Sequence, residues 1–386
     1  MNFVAFSPHF PPNFVPFCQN LRRMGVNVLG LADEPFDTLP QELKFSLTDY
    51  YWVTNQHNYA ELVRALGFFT HRYGKIDRLE SHNEYWLESD ARLRTDFNIA
   101  GFKVGDLANV KRKSKMKSMF EQAGIACARG WVCHELSEAQ ALVKEAGFPL
   151  VAKPDIGVGA YKTYRINNPV ELAAFFTARP SVDYIFEEFV KGDIQTFDGL
   201  VDQDGRIVFS SSMEYSAGMM DLVNEGLDFC YYIKRQTPPA LEQVGRKLVE
   251  VYGLRERFFH FEFFRTPEGQ TIGLEVNMRP PGGLTVDMWN FANDIDIFYE
   301  YANVVVNNRF SAVLTRPFFC GYVGRRNGHS YLLTHQQVLA AFPRQVVNYQ
   351  PISGVFAAAL GDFSYLIRSP ELSEIEEISG YILKKA

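Results

Sequence analysis

Residues 258–283 read FFHFEFFRTPEGQTIGLEVNMRPPGG, and this stretch decides the fold of the chain. Two runs rich in aromatic and aliphatic side chains, 259–265 and 271–278, flank a Pro-Glu-Gly-Gln turn sequence. Alternating runs of this kind around a glycine turn predict a β-hairpin. If the turn forms the loop, Thr266 pairs with Thr271, and this pairing fixes the register of both strands.

Counting outward from that pair places Glu262 opposite Glu275, and His260 opposite Asn277. Directly opposed residues have Cβ atoms about 5 Å apart, so the two carboxylates repel each other unless a positive charge lies between them. Two carboxylates and an amide oxygen on one face form a set that Mg²⁺ prefers. Arg279 follows and could bind a phosphate. A surface hairpin with solvated glutamates is the alternative, but the apolar neighbours indicate burial.

The composition is that of an ordinary globular protein. Of its residues, 47% are hydrophobic and 22% are charged. The length of 386 residues predicts two to three domains. The net charge of −6 argues against a general nucleic-acid or membrane-surface binder. The five cysteines are scattered without CxxC spacing, which favours reduced thiols in the cytoplasm. We expect no signal peptide and no membrane-spanning segment.

The first hundred residues alternate between strand and helix patterns. The predicted strands lie at 3–6, 26–31, 50–53 and 76–80, and the predicted helices at 14–24 and 59–73. This alternation predicts a parallel α/β sheet. Glu84 follows the fourth strand, where it could either face a ligand at the carboxyl edge of the sheet or simply begin a helix.

A lysine-rich helix and a lysine-tipped strand follow. The predicted helix at 111–123 presents several lysines, which could form a solvated face, deliver one lysine to an anion, or bind nucleic acid. The short strand at 148–154 ends in Lys153, and a charge at the end of an apolar strand suggests a specific partner. The loop Gly157–Tyr161 contains a GxG pattern that could fold over an anion, although its spacing is not that of a Walker A loop.

Antiparallel structure is predicted beyond residue 183. We expect strands at 183–190, 196–201 and 207–212, a helix at 240–252, and a C-terminal α+β lobe with strands at 318–324 and 355–360. The segment 213–230 could line an acceptor pocket or form a core loop, and its candidate residues are Glu214, Tyr215, Met219, Met220 and Glu225.

Taken in order, these motifs resemble the ATP-grasp superfamily, and within it the carboxylate–amine ligases. The resemblance implies α/β and α+β multidomain architecture, with an N-terminal parallel α/β domain at 1–110, a lid subdomain at 111–190, a central antiparallel-sheet subdomain at 191–310 and a C-terminal lobe at 311–386. It implies that ATP phosphates are bound by Lys113 and Lys153, with Lys153 and Arg279 acting in catalysis. Lys115 and Lys117 would matter far less.

The resemblance also assigns the remaining ATP contacts. The lid residues would be Gly157, Gly159, Ala160 and Tyr161, and the adenine hinge Glu187, Glu188, Phe189 and Val190. Ile194 stands where the family often has a ribose-binding glutamate, so Asp193 or Gln195 would substitute. The ligands of Mg²⁺ (or Mn²⁺) would be Glu262, Glu275 and Asn277.

The implied reaction is ATP-dependent activation of a carboxylic acid as an acyl phosphate, which an amine then attacks, with release of ADP and phosphate. The expected partners are a small acid and a small amine, without nucleic acid or membrane, in a cytoplasmic protein that forms a homodimer. Two alternatives remain open: a bicarbonate-using carboxylase or carbamoyl-phosphate-type enzyme, and a non-catalytic ATP-binding regulator.

Overall fold

The computed structural model describes residues 1–157, 162–178, 182–215, 228–352 and 354–386. These residues form three sheets with helices packed against them. The predicted lid residues Gly159, Ala160 and Tyr161 lie outside the described residues, as do Met219, Met220 and Glu225 of the acceptor segment.

The N-terminal sheet is parallel, as the alternation of strands and helices predicts. Its strands lie in the order β3-β2-β1-β4, at Asn2–Phe6 (β1), Asn27–Ala32 (β2), Asp49–Trp52 (β3) and Arg78–Glu80 (β4). Its helices are Val15–Arg23 (α1), Gln41–Ser46 (α2), Tyr59–Tyr73 (α3) and Leu87–Asp96 (α4). The β1 strand is buried along its whole length, as expected for a strand covered on both faces.

A small antiparallel sheet follows, in the order β5-β8-β6-β7. Its strands are Gly130–Val132 (β5), Leu150–Pro154 (β6), Tyr164–Ile166 (β7) and Tyr184–Glu188 (β8). The helices of this region are Leu107–Lys111 (α5), Lys113–Gln122 (α6), Leu136–Ala146 (α7) and Pro169–Ala178 (α8).

The predicted lysine-rich helix is interrupted at Arg112, whose backbone is extended (φ −92°, ψ 116°). Asp155 holds the start of α6, because its carbonyl accepts from the Lys113 amide at 2.9 Å and its carboxylate accepts from the Ser114 amide at 2.8 Å. Lys113 therefore lies at the first helical position, next to the end of β6.

The largest sheet has nine strands, in the order β14-β13-β9-β11-β12-β15-β17-β16, with β10 paired to β9. The strands are Asp193–Val201 (β9), Ile207–Ser211 (β10), Met213–Tyr215 (β11), Phe229–Ile233 (β12), Arg257–Arg265 (β13), Thr271–Asn277 (β14), Phe319–Arg325 (β15), Val346–Pro351 (β16) and Phe363–Ser369 (β17). The helices are Pro239–Val251 (α9), Thr285–Asn293 (α10), Ile297–Asn307 (α11), His335–Ala341 (α12), Gly354–Leu360 (α13) and Leu372–Leu383 (α14).

The sheet continues through β12 and β15 into the C-terminal strands, so the predicted lobe at 311–386 extends the central sheet. The strand predicted at 355–360 is wrong, because this segment is the helix α13. Its three consecutive alanines, 357–359, are strong helix formers. The boundaries of the four domains stay predictions.

The hairpin β13–β14 has the predicted pairs at its functional end, although the pairing near its turn differs. Thr271 pairs with Arg265 and not with Thr266, and a bulge in β14 after Gly273 then shifts the register by one residue. Beyond the bulge, Glu262 faces Glu275 and His260 faces Asn277, as predicted.

The same bulge is where α6 packs on the hairpin. A Cβ atom on Gly273 would lie 2.6 Å from the ring of Phe120, so only glycine allows this approach. The amide of Gly273 donates to the carbonyl of Ala126 at 2.7 Å, which joins the chain after α6 to β14. This packing brings the lysines of α6 to the face of the hairpin that carries the glutamates.

Candidate active site

The two opposed carboxylates of the hairpin each have a cationic neighbour. Lys113 Nζ lies 3.0 Å from Glu275 Oε1, and His260 Nε2 lies 3.1 Å from Glu262 Oε1. Burial opposes the charge on Glu262, but the hydrogen bond and charge of His260, with Arg279 and Lys113, hold its pKa below the usual range. The repulsion between the opposed glutamates is therefore offset by positive charges.

His260 is a buried cation in this arrangement. Its Nδ1 atom lies 2.6 Å from Asp198 Oδ1, and its other nitrogen contacts Glu262. Burial favours the neutral ring, but Asp198 and Glu262 together raise the pKa of His260 to about 9. A doubly protonated imidazole has no free lone pair, so His260 stabilises Glu262 and is not itself suited to bind a metal.

A second set of ion pairs joins α6 to the small sheet. Glu187 accepts two lysines, with Lys117 Nζ 2.6 Å from Oε1 and Lys153 Nζ 2.6 Å from Oε2. Burial disfavours the charged carboxylate, yet these lysines lower the pKa of Glu187. Lys113 also donates to the carbonyl of Gly157 at 3.1 Å, so it touches both the hairpin and the first residue of the predicted lid.

Lys117 is expected from the sequence to matter far less toward ATP than Lys113, and that expectation stays a prediction. Lys113 and Lys117 are four residues apart and lie on one helix face, a spacing that is repulsive in isolation. The repulsion is offset because each lysine pairs with a different carboxylate, Glu275 for the first and Glu187 for the second. The shared helix face was the signal available in the sequence, but the partner of Lys117 lies on another element, β8.

Arg279 lies at the end of the hairpin, where it meets the N-terminal domain. Its Nη1 atom donates to the Pro280 carbonyl at 2.8 Å, and Nη2 donates to Asn277 Oδ1 at 3.4 Å. Its Nε atom is 3.4 Å from Glu84 Oε2, a carboxylate from the loop after β4. The carboxyl edge of the parallel sheet therefore reaches the hairpin face that carries the predicted metal ligands.

The predicted adenine hinge spans the last two residues of β8 and the two residues that follow it. Glu188 binds Arg129 at 2.6 Å, and the Arg165 guanidinium lies 4.4 Å from the centre of the Phe189 ring. Val190 directly precedes the turn into β9.

The two residues suggested for ribose binding differ in exposure. The Asp193 side chain is 69% exposed, with Arg265 at 3.8 Å, whereas Gln195 is buried. The Oε1 atom of Gln195 has no hydrogen-bond partner among the described residues. The assignment of the ribose contact stays a prediction.

The described part of the acceptor segment is largely accounted for by packing. Glu214 forms an ion pair with Lys234, and Tyr215 stacks on Phe229 with ring centres 5.7 Å apart. Burial, followed by the negative charges of Glu262 and Asp198, raises the pKa of Tyr215 well above its usual range. The Tyr215 hydroxyl is therefore neutral near the hairpin carboxylates.

Comparisons with known proteins show which proteins this chain resembles in sequence and in fold. The ATP-grasp domain family matches residues 146–287. The L-arginine-specific L-amino acid ligase of Bacillus subtilis is 20% identical over 278 residues, which cover 67% of each protein. The crystal structure of the L-amino acid ligase from Bacillus licheniformis has a TM-score of 0.74 at 17% identity, covering 100% of this chain and 99% of that chain.

A carboxylase shares the same fold. The biotin carboxylase domain of the Hydrogenobacter thermophilus 2-oxoglutarate carboxylase, solved with MgADP, ADP and bicarbonate, has a TM-score of 0.72 at 13% identity. It covers 97% of this chain and 88% of that chain. At this identity the likeness concerns the fold alone.

The parallel N-terminal domain, the small antiparallel sheet and the hairpin-bearing large sheet together have the fold of the Bacillus licheniformis ligase. Residues 146–287, which include the β13–β14 hairpin, match the ATP-grasp domain family. No helix within the described ranges has the length and apolar character needed to cross a membrane.

Proposed function

We propose that both substrates are amino acids, so that the enzyme joins the carboxylate of one to the amino group of the other. The names of the two ligases above support this substrate class. The observation that carries the proposal is the facing pair Glu262 and Glu275 beside Lys113 and Arg279, inside an ATP-grasp domain.

We assign the phosphate contacts to the lysines of the two ion-pair sets. Phosphoryl transfer needs positioning and charge neutralisation more than a protein nucleophile. The side chains of Lys153 and Lys113 are both buried, and their ammonium groups lie where the small sheet meets the hairpin. ATP phosphates would compete with Glu187 and Glu275 for these ammonium groups.

The donor set of the hairpin fits a hard divalent cation. Glu262, Glu275 and Asn277 provide only oxygen ligands and lie on neighbouring strands of one buried hairpin. Among the described residues there is no group of three or more His, Cys, Asp or Glu side chains in metal-binding geometry, so the amide of Asn277 is part of the fit. Bound Mg²⁺ would neutralise charge on the transferred phosphoryl group.

The chemistry proceeds in two displacements that conserve atoms. A carboxylate oxygen of the first amino acid attacks the γ-phosphorus, and the bond to the ADP oxygen breaks. The amino nitrogen of the second substrate then attacks the acyl carbon, phosphate leaves with the electron pair of the carbon–oxygen bond, and the nitrogen loses a proton. Arg279 would bind the oxygens that carry the negative charge during both displacements.

The test is a screen of proteinogenic L-amino acids, singly and in pairs, with ATP and Mg²⁺. We expect ADP and phosphate to form with the same stoichiometry as a dipeptide detected by mass spectrometry. Glu275→Gln is the matched control and should form neither product. Turnover that depends on bicarbonate, with no amino acid required, would refute the proposal. A homodimer and a cytoplasmic location stay predictions.

A further inference from the structure

Glu84 is an acidic residue of the N-terminal domain that the proposed chemistry leaves without a role. It lies in the loop after β4, where the Asn83 amide donates to Ser81 Oγ at 3.3 Å and the Tyr85 amide donates to Asn83 Oδ1 at 2.9 Å. The side chain is 12% exposed. Its Oε2 atom is buried and has no hydrogen-bond partner among the described residues.

Among the described contacts, the guanidinium of Arg279 is the only cation close to Glu84 Oε2. Its Nε atom lies 3.4 Å from Oε2, outside hydrogen-bond geometry. Burial raises the pKa of Glu84, with the negative charge of Glu275 adding to it and Arg279, Lys111 and Lys113 opposing it. A buried acceptor without a donor is costly, so its retention in a site suggests that a ligand supplies the donor.

The location of Glu84 indicates which of the two substrates this ligand is. Arg279 contacts Asn277, one of the proposed metal ligands, through Nη2, and it approaches Glu84 of the loop after β4 through Nε. Glu84 therefore lies beside the place where the acyl phosphate would form. An amine substrate arrives as an ammonium ion, which a carboxylate binds through charge-assisted hydrogen bonds. A carboxylate beside the acyl group would therefore hold the nitrogen close to the acyl carbon. The carboxylate would also accept one proton from the ammonium group, which frees the lone pair of the nitrogen for the attack.

We infer that Glu84 binds the amine substrate through its ammonium group and orients it toward the acyl phosphate beside Arg279. This inference rests on the proposed ligase function. It names a residue of the loop after β4 as part of the amine site, and the class of ligand as a primary ammonium ion.

The test compares two nucleophiles in Glu84→Gln. Hydroxylamine is mostly neutral near neutral pH and traps acyl phosphates as hydroxamates, so it does not need an ammonium-binding carboxylate. With the L-amino acid nucleophile that the parent uses fastest, we expect the KM to rise about 10- to 100-fold in the variant. The rate of hydroxamate formation and the KM for ATP should stay within about twofold of the parent values, because neither depends on binding an ammonium ion.

Glu88→Gln is the matched control, since Glu88 lies on the first turn of α4, is 61% exposed and contacts Lys111. It should leave both reactions unchanged. An unchanged KM for the amino acid in Glu84→Gln overturns the inference, and so does an equal loss of both reactions, which would mean that Glu84 only positions Arg279. A parent enzyme that forms no hydroxamate with any amino acid would instead refute the proposed function itself.

Discussion

Lys153→Met tests the proposed contact between the small sheet and the phosphates of ATP. The lysine is buried and its Nζ atom lies 2.6 Å from Glu187 Oε2, while the other carboxylate oxygen keeps Lys117 at 2.6 Å. Because Glu187 retains one partner, the loss of folding free energy should equal a single charged hydrogen bond, about 1.5–3 kcal/mol. The same contact made to an ATP phosphate corresponds to a roughly 10- to 150-fold higher Kd.

Calorimetric titration with a non-hydrolysable ATP analogue measures the affinity, and urea unfolding measures the stability. Lys115→Met is the control, because Lys115 is an exposed residue of α6, the helix that carries Lys117. Its stability should stay within about 0.5 kcal/mol of the parent, as for most surface changes. An unchanged Kd in Lys153→Met would remove this lysine from the ATP site.

Three further predictions concern single carboxylates and a lysine. Glu275→Gln should fold but lose Mg²⁺-dependent ADP release, and full turnover would contradict its role as a ligand. Lys117→Met should lower stability in urea by about 1–3 kcal/mol, because its bond to Glu187 is lost; a value like that of Lys115→Met would show that the pair contributes nothing. Asp287→Asn should stabilise the protein at pH 7 by about 1–3 kcal/mol, and equal stabilities at pH 7 would refute this.

The sign for Asp287 follows from its burial. Burial, opposed by a hydrogen bond from Asn13, raises the pKa of Asp287 from 3.8 to about 6. The folded state therefore binds the proton more tightly than the unfolded state, so this residue's contribution is favourable below pH 4 and is lost as the pH rises to 6. The advantage of Asp287→Asn should grow over the same range, while Asp37→Asn, at an exposed position, should show no such trend.

The residue pairing at the functional end of the hairpin was predictable, because it depends on strand periodicity and on a turn that is local in sequence. Glu262 and Glu275 face each other as counting from the turn predicts, yet the count was right only because two deviations cancel. The strands pair one residue off near the turn, and the bulge after Gly273 restores the register. At the bulge, Phe120 of α6 packs closely against Gly273, and no local sequence pattern reveals this contact between distant elements.

Contacts between distant elements could not be predicted. The sequence interpretation discounted Lys117, whose importance depends on Glu187, a residue on β8. Glu84 was left between two interpretations because its neighbour, Arg279, belongs to another domain. The segment 355–360 was assigned as a strand from its apolar residues, although its alanine run favours a helix.

The acyl-phosphate intermediate is the central claim, and oxygen transfer tests it most directly. The first amino acid is labelled with heavy oxygen in its carboxylate, and the phosphate and nucleotide products are analysed by mass spectrometry after ligation. Because a carboxylate oxygen bonds to the γ-phosphorus and leaves with it, we predict one labelled oxygen in each inorganic phosphate, with ADP as the nucleotide product. Unlabelled phosphate, or AMP and pyrophosphate with the label in AMP, would contradict the account.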